Sequence, residues 1–143
     1  MLRRFTIPEK VKSPGAHERE NGRSTRDVLA SHELAVQAAQ CALEKKGGEI
    51  KLFDLRKLTS ITDFFLICTG NTDTHVQAIA DHIVEQLALR QVKPWHIEGR
   101  ENLRWVLIDY IDVVVHVFQP EVREFYGLER LWGDADVEEF RDE

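Results

Sequence analysis

The chain is short of the residues that staple small domains. Its 143 residues include only two cysteines, Cys41 and Cys68, too few for a disulfide framework. Both lie inside apolar runs and read as buried thiols kept reduced, which points to a cytoplasmic setting. No apolar run approaches about 18 residues, so no transmembrane helix is expected. No apolar stretch follows Met1-Leu2-Arg3-Arg4, so no secretory signal is expected either.

Positive charge is also scarce, with 19 Lys and Arg against 25 Asp and Glu, a net charge of −6. The imbalance is uneven: residues 1–30 carry +3, residues 31–133 carry −4 and residues 134–143 carry −5. An acidic domain is repelled by phosphate, so little direct RNA contact is expected; basic partners are favoured instead.

The motifs of common chemistries are missing as well. No G-x-S-x-G occurs, and the serines at 13, 24, 31 and 60 fall in the expected arm or in connections. There is no H-E-x-x-H and no C-x-x-C. His75 and His82 are seven residues apart on one expected helix, about 10 Å along its axis. One metal cannot bridge them without ligands from elsewhere. Residues 69–74, TGNTDT, join a strand to a helix, but with one glycine, no lysine and Asp73 facing any phosphate, they read as a capped turn. Asp63, Asp109 and Asp112 are the carboxylates that a Mg²⁺-dependent nucleotidyltransferase-type enzyme would use, the alternative reading of the chain. Hairpin aspartates more often form turns. No catalytic residue, metal ligand or cofactor is therefore assigned.

What is present is a clear α/β pattern. Residues 1–26, with Pro8, Pro14, Gly15 and Gly22 among scattered charges, read as a flexible N-terminal arm. A domain spans 27–133, and 134–143 reads as a solvated acidic tail. A first helix starts near Ser31 as N-cap, with Leu34, Ala38 and Ala42 on its apolar stripe and Gly47-Gly48 beyond its end. Residues 49–55 alternate as a strand. Residues 64–68, FFLIC, are continuously apolar, so both faces of that strand must be covered. Val76, Ile79, Ala80, Ile83, Val84 and Leu87 mark a second helix. Residues 94–97 make a short strand, and 105–108 and 113–118 a hairpin. Pro120 opens a third helix, which Gly127 interrupts. The order αββαβββα predicts an α/β (mixed α+β) fold, a mixed sheet of about five strands flanked by helices.

Two features stand out. His116 lies in a strand that should be central, so it needs a hydrogen-bond partner, for which Asp109 and Asp63 are candidates. Trp95, Trp105, Tyr110, Phe125, Tyr126 and Trp132 cluster in the C-terminal half near Arg104, Arg123 and Arg130. Trp, Tyr and Arg dominate binding hot spots. Phe125 and Leu128 read as core, whereas Trp105, Tyr126 and Trp132 are balanced between core and contact surface.

Residues 60–70 (SITDFFLICTG), 105–110 (WVLIDY), 112–118 (DVVVHVF) and 123–134 (REFYGLERLWGD) resemble the ribosomal silencing factor family, also called Iojap or RsfS. The resemblance covers residues 31 to about 134. It implies a nucleotidyltransferase-like fold without catalytic carboxylates. It also implies binding to ribosomal protein fourteen of the large ribosomal subunit, which blocks joining with the small subunit and represses translation when nutrients are short. Free members are often homodimers. On this reading Trp105, Tyr126, Leu128 and Trp132 are apolar anchors, Asp109, Glu121 and Glu129 acidic rim groups, and Tyr110, His116 and Arg123 further contact residues. Two positions depart from the family pattern. Ile111 stands where members commonly carry glycine, and a β-branched residue resists positive φ, so no type I′ turn is expected. Leu103 replaces a residue that is usually small.

Overall fold

The alternation of residues 49–55 requires a strand with two different neighbours, one over each face. In the computed structural model, which describes residues 25–142 and the side chains from residue 30 onward, it has them. Strand β1 (Gly48–Asp54) sends Ile50 and Leu52 into one apolar cluster, and Phe53 into a second, where Leu55 follows it. Strand β2 (Phe64–Thr69) is buried along its whole length, as its unbroken apolar run demands. Strands β3 (His96–Glu98), β4 (Trp105–Asp109), β5 (Val113–Phe118) and β6 (Asp136–Phe140) complete a six-stranded sheet in the order β3-β4-β5-β2-β1-β6. The central β2–β5 pair is parallel, in the register Phe65↔Val114 and Ile67↔His116; the other pairs are antiparallel.

Two long helices lie on one side. Helix α1 (Thr25–Glu44) presents Ala35, Ala38, Ala39 and Ala42, all fully buried. Small side chains let it approach the sheet closely. Helix α2 (Asp73–Ala88) adds Val76, Ile79, Ile83 and Leu87. Its N-cap, Thr72, accepts a hydrogen bond from the His75 amide at 3.1 Å, so residues 69–74 are a capped turn, as expected. Among the described residues, the other side of the sheet carries only α3 (Pro120–Tyr126) and α4 (Leu128–Leu131). Gly127 separates them at φ 57°, a left-handed cap that favours glycine.

Several expectations need correction. The first helix begins six residues before Ser31, whose hydroxyl donates to Asp63 Oδ2 at 3.0 Å instead of capping a terminus. The acidic tail is not solvated throughout: β6 pairs with β1 from Ile50↔Phe140 to Asp54↔Asp136. Its charges misled because an edge strand can be acidic and still satisfy its backbone on one side, while charge deters further pairing on the other. The sheet therefore has six strands, not about five. Residues 1–24 of the expected arm lie outside the described residues. Ile111 does adopt positive φ, 75°, but it alone among the turn residues, so the turn is not type I′, as expected. The Asp112 amide donates back to the Tyr110 carbonyl at 2.9 Å, the Ile111 amide donates to Asp109 Oδ1 at 2.7 Å, and Thr62 Oγ1 donates to the Ile111 carbonyl at 3.0 Å. These bonds hold the turn against the preference of the side chain. Leu103 is also left-handed, at φ 58°.

Candidate protein-binding face

The side of the sheet without long helices gathers Phe65, Trp105, Phe118, Tyr126 and Trp132. Period-2 alternation places Trp105 and Leu107 of β4, Val114, His116 and Phe118 of β5, and Phe65 and Ile67 of β2 on it. Trp105 is half-buried at its centre. Its indole Nε1 donates to His116 Nδ1 at 3.1 Å, and its ring meets Phe118 at 4.8 Å and Tyr126 at 4.9 Å. Tyr126 in turn meets Phe125 edge-on at 5.0 Å. Phe65 joins His116 at 4.5 Å and Trp132 at 5.9 Å. Trp132 is half-buried, and its Nε1 is buried without a hydrogen-bond partner among the described residues.

The partner of His116 is thus Trp105, not Asp109 or Asp63. Accepting at Nδ1 puts the proton of the neutral ring on Nε2, which is buried and unpaired among the described residues. Burial pushes the imidazole down to about 3, because its surroundings are aromatic and nothing charged compensates the loss of water. At neutral pH this histidine is neutral.

Other expected contact residues are structural. Arg123 is 6% exposed. Its Nε donates to Glu129 Oε2 at 2.6 Å and its Nη1 to Thr69 Oγ1 at 2.7 Å and the Glu49 carbonyl at 2.9 Å. It clamps α3 and α4 to the sheet. Leu128 is 1% exposed and belongs to the core, so it cannot anchor a partner. Asp109 and Tyr110 are buried at the hairpin turn, where burial pushes the Tyr110 phenol up. Asp63, buried, accepts from Ser31 as described. Asp63 and Asp109, two of the carboxylates that an enzyme would need, thus serve the fold. Cys68 is a core thiol, pushed up to about 12 by burial.

What does reach the surface is a strip around Trp105. Phe125 is 73% exposed and Tyr126 38%; Leu131, at the end of α4, is exposed as well. Glu121 and Glu124 are exposed beside them, and Glu129 is half-buried. Phe125, expected in the core, is the most exposed aromatic side chain of the strip. The signal was available: it follows Arg123 by two residues, a turn of 200° around the helix, so once Arg123 faces the sheet Phe125 must face out. Trp95, at 48% exposure, lies apart beside His96, at 5.6 Å.

The model of the family described as "Ribosomal silencing factor during starvation" (RsfS) matches residues 28–143. The chain belongs to this family. It is similar to the ribosomal silencing factor RsfS of Bacillus subtilis, 44% identical over 102 residues that cover 71% of this chain and 86% of the relative. A crystal structure from Bacillus halodurans superposes with a TM-score of 0.67 at 38% identity, covering 76% of this chain and 99% of that one. A second, from Chromobacterium violaceum, gives 0.66 at 37% identity over 74% and 86% of the two chains. Among the described residues no helix is long and apolar enough to cross a membrane.

Proposed function

We propose that the chain binds the large ribosomal subunit through its ribosomal protein fourteen and thereby blocks joining with the small subunit, repressing translation when nutrients are limiting. The observation that supports this is the exposed pair Phe125 and Tyr126, in ring contact with each other and with the half-buried Trp105. Large exposed apolar side chains that sit together mark a contact surface, and the family names a ribosomal silencer. Inhibition of this kind needs no reaction: two bodies cannot occupy one intersubunit space. We take the chain to be a regulator, not an enzyme, cytoplasmic, and a homodimer when free. The acidic rim, Glu121 and Glu124, suits a basic protein partner better than RNA phosphates.

The test is sedimentation through sucrose gradients with isolated large subunits, followed by a joining assay with small subunits. Phe125→Asp removes an anchor that the fold does not need, and should weaken binding by about 2 kcal/mol or more, roughly thirtyfold. Leu89→Asp is the control, since Leu89 is equally exposed at 74% but follows α2 on the opposite side. If both variants bind as the unmodified chain does, the strip is not the contact. If neither subunit binds the unmodified chain, the function itself is wrong.

A further inference from the structure

The helix-covered side holds a cluster that ribosome binding does not use. Cys41 and Glu44 are three residues apart on the last turn of α1, hence on one face. His82 reaches them from α2: its Nε2 lies 2.7 Å from Glu44 Oε1. The Cys41 sulfur, a Glu44 carboxylate oxygen and a His82 ring nitrogen all lie within 4.8 Å of one another. The ligand that His82 lacked along its own helix is thus supplied by the neighbouring one. His75 takes no part, because its ring bonds the Asn71 amide and the Lys45 carbonyl.

We infer that Cys41, Glu44 and His82 form a binding site for a borderline-soft divalent cation of the zinc class, with water in the fourth position. Thiolate and imidazole with one carboxylate are the donors such ions prefer, and the charges of thiolate and carboxylate balance the ion. Zinc–ligand bonds of about 2.0–2.3 Å place tetrahedral donors about 3.5 Å apart, so closure needs movements of about 1 Å. The His82 side chain is only 18% exposed and nearly preset, while that of Glu44, 63% exposed, can swing.

A second observation points the same way. The Tyr110 hydroxyl is buried with no hydrogen-bond partner among the described residues, in a side chain only 7% exposed. Cys41 and Tyr110 belong to the same apolar cluster. An orphaned buried hydroxyl is costly. A thiolate formed at Cys41 would add a negative acceptor to the cluster that holds this hydroxyl. Without the ion the sulfur, in a buried side chain outside any disulfide, is a thiol. Binding then exchanges that proton for the metal: the S–H bond breaks, the sulfur lone pair bonds the cation, and one proton passes to solvent. The ion would staple α1 to α2.

The full chain is titrated with Co²⁺ and then Zn²⁺. The expected result is a near-ultraviolet thiolate-to-cobalt band with the visible bands of tetrahedral cobalt, saturating at one equivalent and erased by zinc. Zinc in hundredfold excess over its Kd should raise the melting temperature by about 9 °C. Cys41→Ser and His82→Gln should abolish both effects. Should Cys41→Ser fail to fold, His82→Gln decides, because its side chain is partly exposed. No thiolate band at stoichiometric cobalt, or a band and a thermal shift that persist in His82→Gln, overturns the inference.

Discussion

His116 makes the stability of the fold depend on pH in a window where few other groups do. Its ordinary value is 6.5 and its folded value about 3. Between the two the unfolded chain binds the proton more readily, so stability is complete above the unfolded value and declines as pH falls. The full difference corresponds to about 5 kcal/mol, of the order of a small domain's whole stability; by pH 5 the loss should be about 2 kcal/mol. No correction for solvent is needed, because the residue is 1% exposed. Asp54, held low by its hydrogen bonds from Arg56, has the same sign but acts only near and below the ordinary carboxylate range. The assay is urea unfolding at pH 7.5, 6 and 5, on the unmodified chain and on His116→Gln. Glutamine does not titrate and can still accept from the Trp105 indole, so this variant, though weaker at pH 7.5, should show a flatter profile. The difference between the two profiles isolates His116. Equal losses in both chains, or an unmodified chain as stable at pH 5 as at 7.5, would refute the assignment of a neutral, water-excluded imidazole beneath Trp105.

Deleting residues 134–143 should lower the melting temperature and promote self-association, because it strips β6 and leaves the β1 edge unpaired; a truncated chain that melts and sediments like the full one would restore the solvated tail. Ile111→Gly should stabilise the domain by about 1 kcal/mol in urea unfolding, since glycine accepts φ 75° without the penalty of a branched side chain. A loss of stability instead would mean that the side chain, not the backbone, is what the turn needs.

The sequence made the covered side of the sheet legible and left half of the contact face obscure, for physical reasons. Period-2 alternation in β1, the unbroken run of β2 and the 3.6-residue stripe of α2 are strong signals, and each follows from burial alone. The parallel β2–β5 pair follows from helix α2 and two further strands lying between its members. The contact face depends on α3 and α4, which are seven and four residues long. Elements that short have no stripe to read. Their orientation is set by Arg123, a charged residue that composition assigns to the surface and three hydrogen bonds hold inside. With Arg123 turned inward, Leu128 becomes core and Phe125 surface. His116 showed a need for a partner, but the indole across the strand pair is a donor that charge-based reasoning passes over. Trp105 for the same reason serves two ends: truncating it would expose a buried imidazole as well as remove a ring, which makes Phe125 the cleaner probe of binding.

The clamp also constrains how binding energy can arise. Glu129 is bonded to Arg123 and lies 3.8 Å from Lys51, so its charge is largely neutralised within the chain and adds little to a rim. Asp109 is buried at its turn and adds none. The acidic fringe therefore reduces to Glu121 and Glu124, two exposed carboxylates on one side of an aromatic strip. Two such charges steer an encounter but hold little once salt screens them. On the proposed function the affinity would then rest on the rings, and rings bind well when ordering them costs little. The run of ring contacts from Phe118 through Trp105 and Tyr126 to Phe125 begins on β5 and ends on α3, which Arg123 ties to the sheet, so it is in place before a partner arrives. A face built this way should show a dissociation rate sensitive to ring size and an association rate only weakly sensitive to ionic strength, the reverse of what a charge-driven contact would show.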